Sequence, residues 1–255
     1  KKTTQILLDQ TYEEFYSAFK NNNYKASVYA YEDAEKIIKQ SEGLRIRLQK
    51  LNDYSVYYEE VISLYLTEQY NKGRSYLSMD KFSAAKNTFD EIMHFDKKFK
   101  DAKTQLETAT LEPIYRKGVK YLESNSNRLA YYEFEKILLN SNYKDALDLK
   151  SEALEKATIK IAVNANYSSS RYDRQKNDFK KQFISKLNNI PSPFYKIIEI
   201  PQLKTEKSLE EKITLAKSKG AKALFSIDLD AFSYPAGTGK TGIYKAYIKT
   251  IKPYK

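Results

Sequence analysis

Tyr70-Asn-Lys-Gly73-Arg-Ser-Tyr76-Leu77 returns 45 residues later as Tyr115-Arg-Lys-Gly118-Val-Lys-Tyr121-Leu122. The same offset carries Ala85 onto Ala130, Phe89 onto Phe134 and Ile92 onto Ile137. Phe99-Lys-Asp-Ala102 then meets Tyr143-Lys-Asp-Ala146 at an offset of 44, one residue having dropped out of a turn. A fixed period of this length marks an array of supersecondary units. Gly73, Tyr76 and Leu77 are spaced for one side of a helix, and Ala85, Phe89 and Ile92 for one side of the next. The glycine lets two helices approach, the alanine does the same from the opposite helix, and the aromatic rings fill the space between. Asp80-Lys81 and Ser126-Asn127 supply polar turns. Each unit reads as a helical hairpin.

The spacing Gly-x2-Tyr-x8-Ala-x3-Phe occurs at Gly73/Tyr76/Ala85/Phe89 and again at Gly118/Tyr121/Ala130/Phe134. It resembles the tetratricopeptide-repeat family over residues 66–157 and more weakly before them. The period is longer than that family's roughly 34 residues, no Trp opens the helix and no Pro closes the repeat at the usual place. The extra length is assigned to a helix from Phe99 through Tyr121, in which Pro113 marks a kink or a break. An earlier, degenerate unit is expected around Phe15 to Ile38, with Ala18, Ser27, Tyr31 and Ala34 in the corresponding places. Gly43 to Leu77 reads as further helix, interrupted near Asn52-Asp53. Tyr76, Tyr121, Phe89 and Phe134 are packing residues on this reading. The resemblance implies a solenoid whose concave face takes a protein partner.

The periodicity changes after Ala157. Thr158 to Asn166 alternates as a strand does, and Tyr167 to Ser170 is a loop. Asp173 to Leu187 reads as a helix with Phe179, Phe183, Ile184 and Leu187 on one side. Phe194 to Ile200 is a second strand between Pro193 and Pro201. Ser208 to Lys219 is a second helix, where Ser208 and Glu211 make a capping box and Gly220 ends it. Ala221 to Ala231 is a third strand and Ile243 to Ile251 a fourth. The expected class is α + α/β: a helical-hairpin domain over 1–157, then a small β-α-β-α-β-β domain over 158–255. The helical crossovers demand at least partly parallel pairing. The last two strands are joined by Ser233 to Lys240, which suits a hairpin.

Gly237-Thr-Gly-Lys-Thr241 looks like the end of a nucleotide-binding loop. Such a loop needs Gly-x4-Gly-Lys-Ser/Thr between a strand and a helix, so that loop amides and the helix N-terminus hold phosphate. Tyr234 stands where the first glycine is required, and an alternating strand follows. Pro235, Gly237 and Gly239 are turn formers, and the stretch is assigned to a hairpin loop.

The Ile-Ala-Val opening strand, the "FYKIIEIPQL" strand and Ala216-Lys-Ser-Lys-Gly-Ala-Lys-Ala-Leu-Phe225 together resemble a small α/β domain of bacterial envelope lipoproteins. These are the proteins related to the curli secretion channel, the penicillin-binding-protein activators and the amino-terminal domain of the Tol-system β-propeller protein. The resemblance covers the second domain. It implies an envelope protein that binds other proteins, on the periplasmic side of a bacterial membrane, as an outer-membrane lipoprotein whose lipidated N-terminal segment precedes Lys1-Lys2. A cytoplasmic protein is the alternative.

The bulk composition narrows the classes. Hydrophobic residues make up 41% of the 255, enough for packed cores. No cysteine is present, which excludes disulfides and thiolate metal sites. No run of roughly 18 apolar residues offers a membrane span. The net charge of +11 admits an anionic partner. Yet 37 of the 44 basic residues are Lys, interleaved with acids. Base and phosphate readout favours the planar fork of Arg, so nucleic acid is not the expected partner.

Few residues suggest chemistry. His94, the only histidine, closes a repeat helix. Asp228 and Asp230 share one side of a strand, and paired carboxylates can hold Mg²⁺ or Mn²⁺. Ser168-Ser169-Ser170, with Arg171 and Arg174, precede a helix and could meet an anion. Tyr244, Lys245, Tyr247 and Lys249 interleave rings and charge as single-strand binders do. Each reads more simply as a helix end, a strand's polar side, a capping loop and an exposed strand. No catalytic, cofactor-binding or metal residue is assigned, and no cofactor is expected. The expected function is a non-enzymatic scaffold that binds other proteins. The alternatives are a metal- or nucleotide-dependent enzyme centred on Asp228 and Asp230, or a basic nucleic-acid binder.

Overall fold

Asn22, Asp80 and Asn125 carry left-handed backbone (φ 55°, 56° and 57°) and turn the chain back on itself. Asn and Asp enter this region at low cost because their short side chains bond locally. The computed structural model describes residues 2–50, 54–167, 173–200, 208–229, 232–233, 243–244 and 247–250. Within it the three turns join α1 (Lys2–Lys20) to α2 (Tyr24–Gly43), α3 (Tyr54–Ser78) to α4 (Phe82–Phe95), and α5 (Ala102–Glu123) to α6 (Asn127–Leu138). In each, the residue after the left-handed one donates to a carbonyl five residues back. These bonds are Asn23 to Ala18 (2.9 Å), Lys81 to Tyr76 (2.8 Å) and Ser126 to Tyr121 (2.8 Å). They satisfy carbonyls that a helix end leaves unpaired.

The chain divides into two compact units, Lys1–Arg116 and Lys117–Lys255, and the division falls inside α5. In the first unit α1 packs on α2, α2 on α3 and α3 on α4. Phe89 is fully buried against Gly73, where an added Cβ would lie 2.7 Å from the ring's Cζ. Gly73 is needed for close approach, since its backbone is ordinary helix.

The first hairpin solves the same packing the other way round. Set on their left-handed residues, Tyr12 matches Tyr70, Phe15 matches Gly73, Ser27 matches Ala85 and Tyr31 matches Phe89. The bulk has moved to the first helix. Phe15 is fully buried, its ring 6.3 Å from that of Tyr31, and the buried Ser27 hydroxyl donates to the Phe15 carbonyl at 3.1 Å.

Two expectations need correction. Residues 44–50 are not helical, and α2 ends at Gly43, with Arg45 left-handed (φ 57°) just beyond it. The Gln5 side chain holds that stretch from α1, donating to the Gln49 carbonyl (3.1 Å) and accepting from its N–H (2.8 Å). Residues 51–53, with the expected interruption, lie outside the described residues. Nor does Pro113 break its helix: α5 runs through it. Pro113 itself is exposed, while Ala109, Leu111 and Glu112 are buried and anchor the turns around it. Packing of that side outweighs the one hydrogen bond that proline removes.

The second unit repeats the Gly–aromatic contact, an added Cβ on Gly118 lying 2.7 Å from Phe134 Cε1. α7 (Ala146–Ala157) packs on α6. Tyr131 and Tyr132 of α6 set their rings edge-on to Phe194, at 5.2 and 5.5 Å, and Arg128 lies 5.3 Å from the same ring. The repeat-equivalent residues of α4 are Lys86, Asn87 and Ser83. Where the hairpin meets the α/β part, a polar surface has become aromatic.

Beyond α7 come β1 (Ile159–Tyr167), α8 (Asp173–Asn188), β2 (Tyr195–Glu199), α9 (Leu209–Ser218), β3 (Ala223–Leu229), β4 (Phe232–Ser233), β5 (Ile243–Tyr244) and β6 (Tyr247–Thr250). The main sheet has the order β2-β1-β3-β6, in which β1 pairs parallel to β2 and β3, and β6 is antiparallel to β3. β4 and β5 form a separate antiparallel pair. Helices cover the two faces. Phe183 of α8 stacks on Phe225 (5.4 Å), whereas Ala216 of α9 joins Ala162, Leu224 and Ile200 on the opposite face. Ser208 caps α9 with a reciprocal Glu211 box, and Gly220 (φ 73°) ends it, as the sequence predicts.

Candidate functional site

Glu91 of α4 is the meeting point of three helices in the first unit. Lys25 of α2 reaches its carboxylate at 2.9 Å and the Tyr29 hydroxyl donates at 3.0 Å, while Tyr65 of α3 donates to the same oxygen. Burial pushes the Glu91 carboxyl up, but the hydrogen bonds from Tyr65, Lys25 and Tyr29 outweigh it and hold the group below its ordinary value. The same burial and hydrogen bond push the Tyr29 phenol up to about 12 and raise Tyr65 as well. The Phe95 ring meets Tyr29 and Tyr65 edge-on. A turn away, His94 Nε2 lies 3.3 Å from Glu32 Oε1. This carboxylate is taken up in joining α2, α3 and α4, and His94 closes the seam at their surface.

A second clasp uses two residues of the repeat. The Tyr70 hydroxyl donates to Asp101, which the bond, seconded by Gln105, holds below the ordinary carboxylate value. Lys100 lies 4.7 Å from the centre of the Tyr70 ring. In the second unit Glu133, buried on α6, binds Lys117 of α5 (2.8 Å) and Lys136 (2.9 Å). Burial raises its carboxyl, and the two ammonium groups bring it below its usual value.

These clasps leave apolar side chains on the outside of both units. Leu129 and Tyr132 of α6 and Leu147 of α7 are exposed, as are Val56, Tyr57 and Leu64 of α3. A groove of about 460 Å³ runs beside Leu129, lined by the α5–α6 turn, Ile159, Lys156 and Lys222. Apolar side chains beside a polar, basic rim are what a protein-binding surface offers.

Of the chemistry-bearing residues singled out in the sequence, those that are described sit on several elements. Asp228 stands at the carboxyl end of β3, in register with Asn166 of β1 and Tyr247 of β6. Arg174 is in the first turn of α8, Tyr244 on β5 and Lys249 on β6. Asp230, Ser168 to Ser170, Arg171, Lys245 and the Gly237–Thr241 stretch lie outside the described residues. Strands flank that last stretch on both sides, β4 and β5, and they pair antiparallel. Among the described residues no three His, Cys, Asp or Glu come together to hold a metal ion, and no helix is long and apolar enough to cross a membrane. One polar residue reads in the sequence as an ordinary strand position and stands out only in the structure: Asn164, buried in the middle of β1.

No protein-family model matches the chain, and no curated protein matches it either.

Proposed function

We propose that this chain is a non-catalytic scaffold of the bacterial cell envelope. It binds other proteins through its helical hairpins and its α/β part. The observation that supports this best is the hairpin itself, built three times with one turn geometry and twice with one Gly–aromatic contact while its outer surface varies. A tetratricopeptide-like array of this kind holds its fold by internal packing and leaves its surfaces free to match a partner. The exposed Leu129, Tyr132 and Leu147 are side chains that an adaptor would cover. The likeness of 158–255 to envelope lipoprotein domains supports the location.

Two measurements test it. Crosslinking in native cells, followed by purification of this chain, is expected to recover a stoichiometric protein partner. Recovery of the chain alone over a range of linker lengths would count against a scaffold. Intact mass after fractionation is expected to find an acylated protein in the membrane fraction, and an unmodified cytoplasmic protein would remove the envelope location.

A further inference from the structure

The net charge is not spread evenly along the chain. Residues 1–157 carry 25 Lys and Arg against 25 Asp and Glu, while residues 158–255 carry 19 against 8, so the whole +11 belongs to the α/β part. Like charge gathered in so short a stretch opposes its own compaction and draws an anionic partner.

Part of that charge meets concave, apolar surface within the second unit. The groove beside Leu129 is lined by Arg128 of α6, Lys156 at the end of α7 and Lys222 just before β3, and none of the described residues that line it is an acid. Its aliphatic part is Leu129, Ala157 and Ile159. A second groove, of about 470 Å³, shares Lys156 and Lys222 and takes in Lys160 and Gly220. The Lys222 N–H donates to the Lys160 carbonyl at 2.9 Å, and a Cβ added to Gly220 would lie 3.7 Å from the Lys160 ammonium, so these three residues are neighbours where β1 and β3 begin. Two acids line the second groove: Glu152, held by Lys156 at 2.5 Å, and Glu155. Lys160 and Lys222 are exposed, and among the described residues neither has a carboxylate partner.

We propose that the two adjoining grooves take an acidic segment of a partner protein, in which Asp or Glu stands beside aliphatic side chains. This rests on the scaffold reading and gives the partner its chemistry. The cations need carboxylates or phosphates, and the aliphatic lining decides between them. A phosphate backbone has nothing to place against Leu129, Ala157 and Ile159, whereas a polypeptide carries both kinds of group on one strand. Nucleobases need aromatic faces to stack on, and no ring is among the described residues that line either groove. A bilayer presents a flat face, and these ammonium groups line recesses that a single chain can enter.

The test uses the full chain and a blocked octapeptide of alternating Glu and Leu. Its Gln–Leu counterpart, an all-Glu octapeptide, oligothymidine and phosphatidylglycerol vesicles are the comparisons. Binding is read by fluorescence anisotropy and mapped by amide NMR. The Glu–Leu peptide is expected to bind saturably, about tenfold or more tighter than either other peptide, and to weaken as salt rises. Shifts should centre on Leu129, Ile159 and Lys222. Lys160→Glu with Lys222→Glu should weaken binding about tenfold or more, whereas Lys181→Glu with Lys186→Glu, an equal charge change at exposed positions of α8, should alter it less than about threefold. Leu129→Ser should abolish the preference for Glu–Leu over all-Glu. Equal binding of the Glu–Leu and Gln–Leu peptides, equal losses in the two double variants, or tighter binding of oligothymidine or vesicles would overturn the proposal. Crosslinking in native cells tells its failure from that of the scaffold reading. A partner recovered equally by the parent and by Lys160→Glu with Lys222→Glu overturns the acidic-segment proposal alone, and a parent chain recovered without any partner removes both.

Discussion

The phenol of Tyr70, near the middle of α3, donates its proton to the carboxylate of Asp101, 31 residues further on and immediately before α5. Both belong to the repeat: Tyr70 recurs as Tyr115 and Asp101 as Asp145. In the first unit these two motif residues are thus two halves of one clasp, one half on α3 and the other at the start of α5.

Removing either half is expected to destabilise the first unit by about 1–2 kcal/mol, the range of a hydrogen bond to a charged group at a partly buried site. Tyr70→Phe and Asp101→Asn should not add. In a double-mutant cycle read by urea unfolding, the second substitution should cost much less once the first is present. Full additivity would show that the two side chains act separately.

Gly73→Ala is expected to cost about 1–3 kcal/mol, because the added methyl would meet the face of Phe89 in a closed core. Gly118→Ala should cost a similar amount against Phe134. Trimming the ring should give room back, so Gly73→Ala with Phe89→Leu should melt above the sum of the two single variants. If Gly73→Ala alone stabilises, as it would on an exposed helix, the close approach is wrong.

Stability should form a plateau bounded at both ends of the pH scale. Glu91, Asp101 and Glu133 have folded pKa values below their unfolded ones. Their contribution is therefore complete above about pH 5 and is lost as acid protonates the folded carboxylates. Tyr29 runs the other way. Its phenol is raised to about 12, so its contribution is present below about pH 10 and lost as pH climbs towards 12. Thermal melts across pH should show both limbs, and Tyr29→Phe should make the alkaline one shallower, with the raised phenol of Tyr65 keeping part of it.

Phe194 is 5% exposed and receives Tyr131, Tyr132 and Arg128. Phe194→Ala should cost about 3–5 kcal/mol. Hydrogen exchange should speed up in α6 and around β2 together, since one ring serves both. Arg128→Ala removes only a cation–ring contact and should cost about 1 kcal/mol or less. Equal losses for the two would put the weight on charge instead of packing.

The hairpins were legible because their periods and turn residues are local. Asp80 advertises a left-handed turn, and Gly73 with Phe89 advertises a small residue meeting a large one, while the turn expected at Ser126-Asn127 has its left-handed residue one position earlier, at Asn125. The first hairpin was harder to see because Phe15 and Tyr31 share the volume differently, and a motif written on glycine misses that exchange. Residues 44–50 read as helix by composition, yet their hydrogen bonds run to Gln5, far away in sequence. The α/β elements followed from alternation and from the Ser208 cap, whereas strand order is set by long-range pairing. Asn164, whose buried amide has no hydrogen-bond partner among the described residues, gave no signal because that is a property of its neighbours, and periodicity sees only whether a position is inside.

α7 begins as α5 does: Phe99-Lys-Asp-Ala102 and Tyr143-Lys-Asp-Ala146 each place a left-handed lysine (φ 45° and 50°) before a buried alanine. Counted at that offset of 44, α7 stops at Ala157, opposite Pro113, where α5 still has ten residues to run. The chain then enters β1, and the helix before α7 shows aromatic residues to Phe194. A helical array left open presents its last apolar surface to any further copy of itself, and arrays end soundly only when a dissimilar module closes them. The sheet and its helices close this one, so the number of hairpins is fixed at that end, and a chain truncated at Ala157 should self-associate where the whole chain does not.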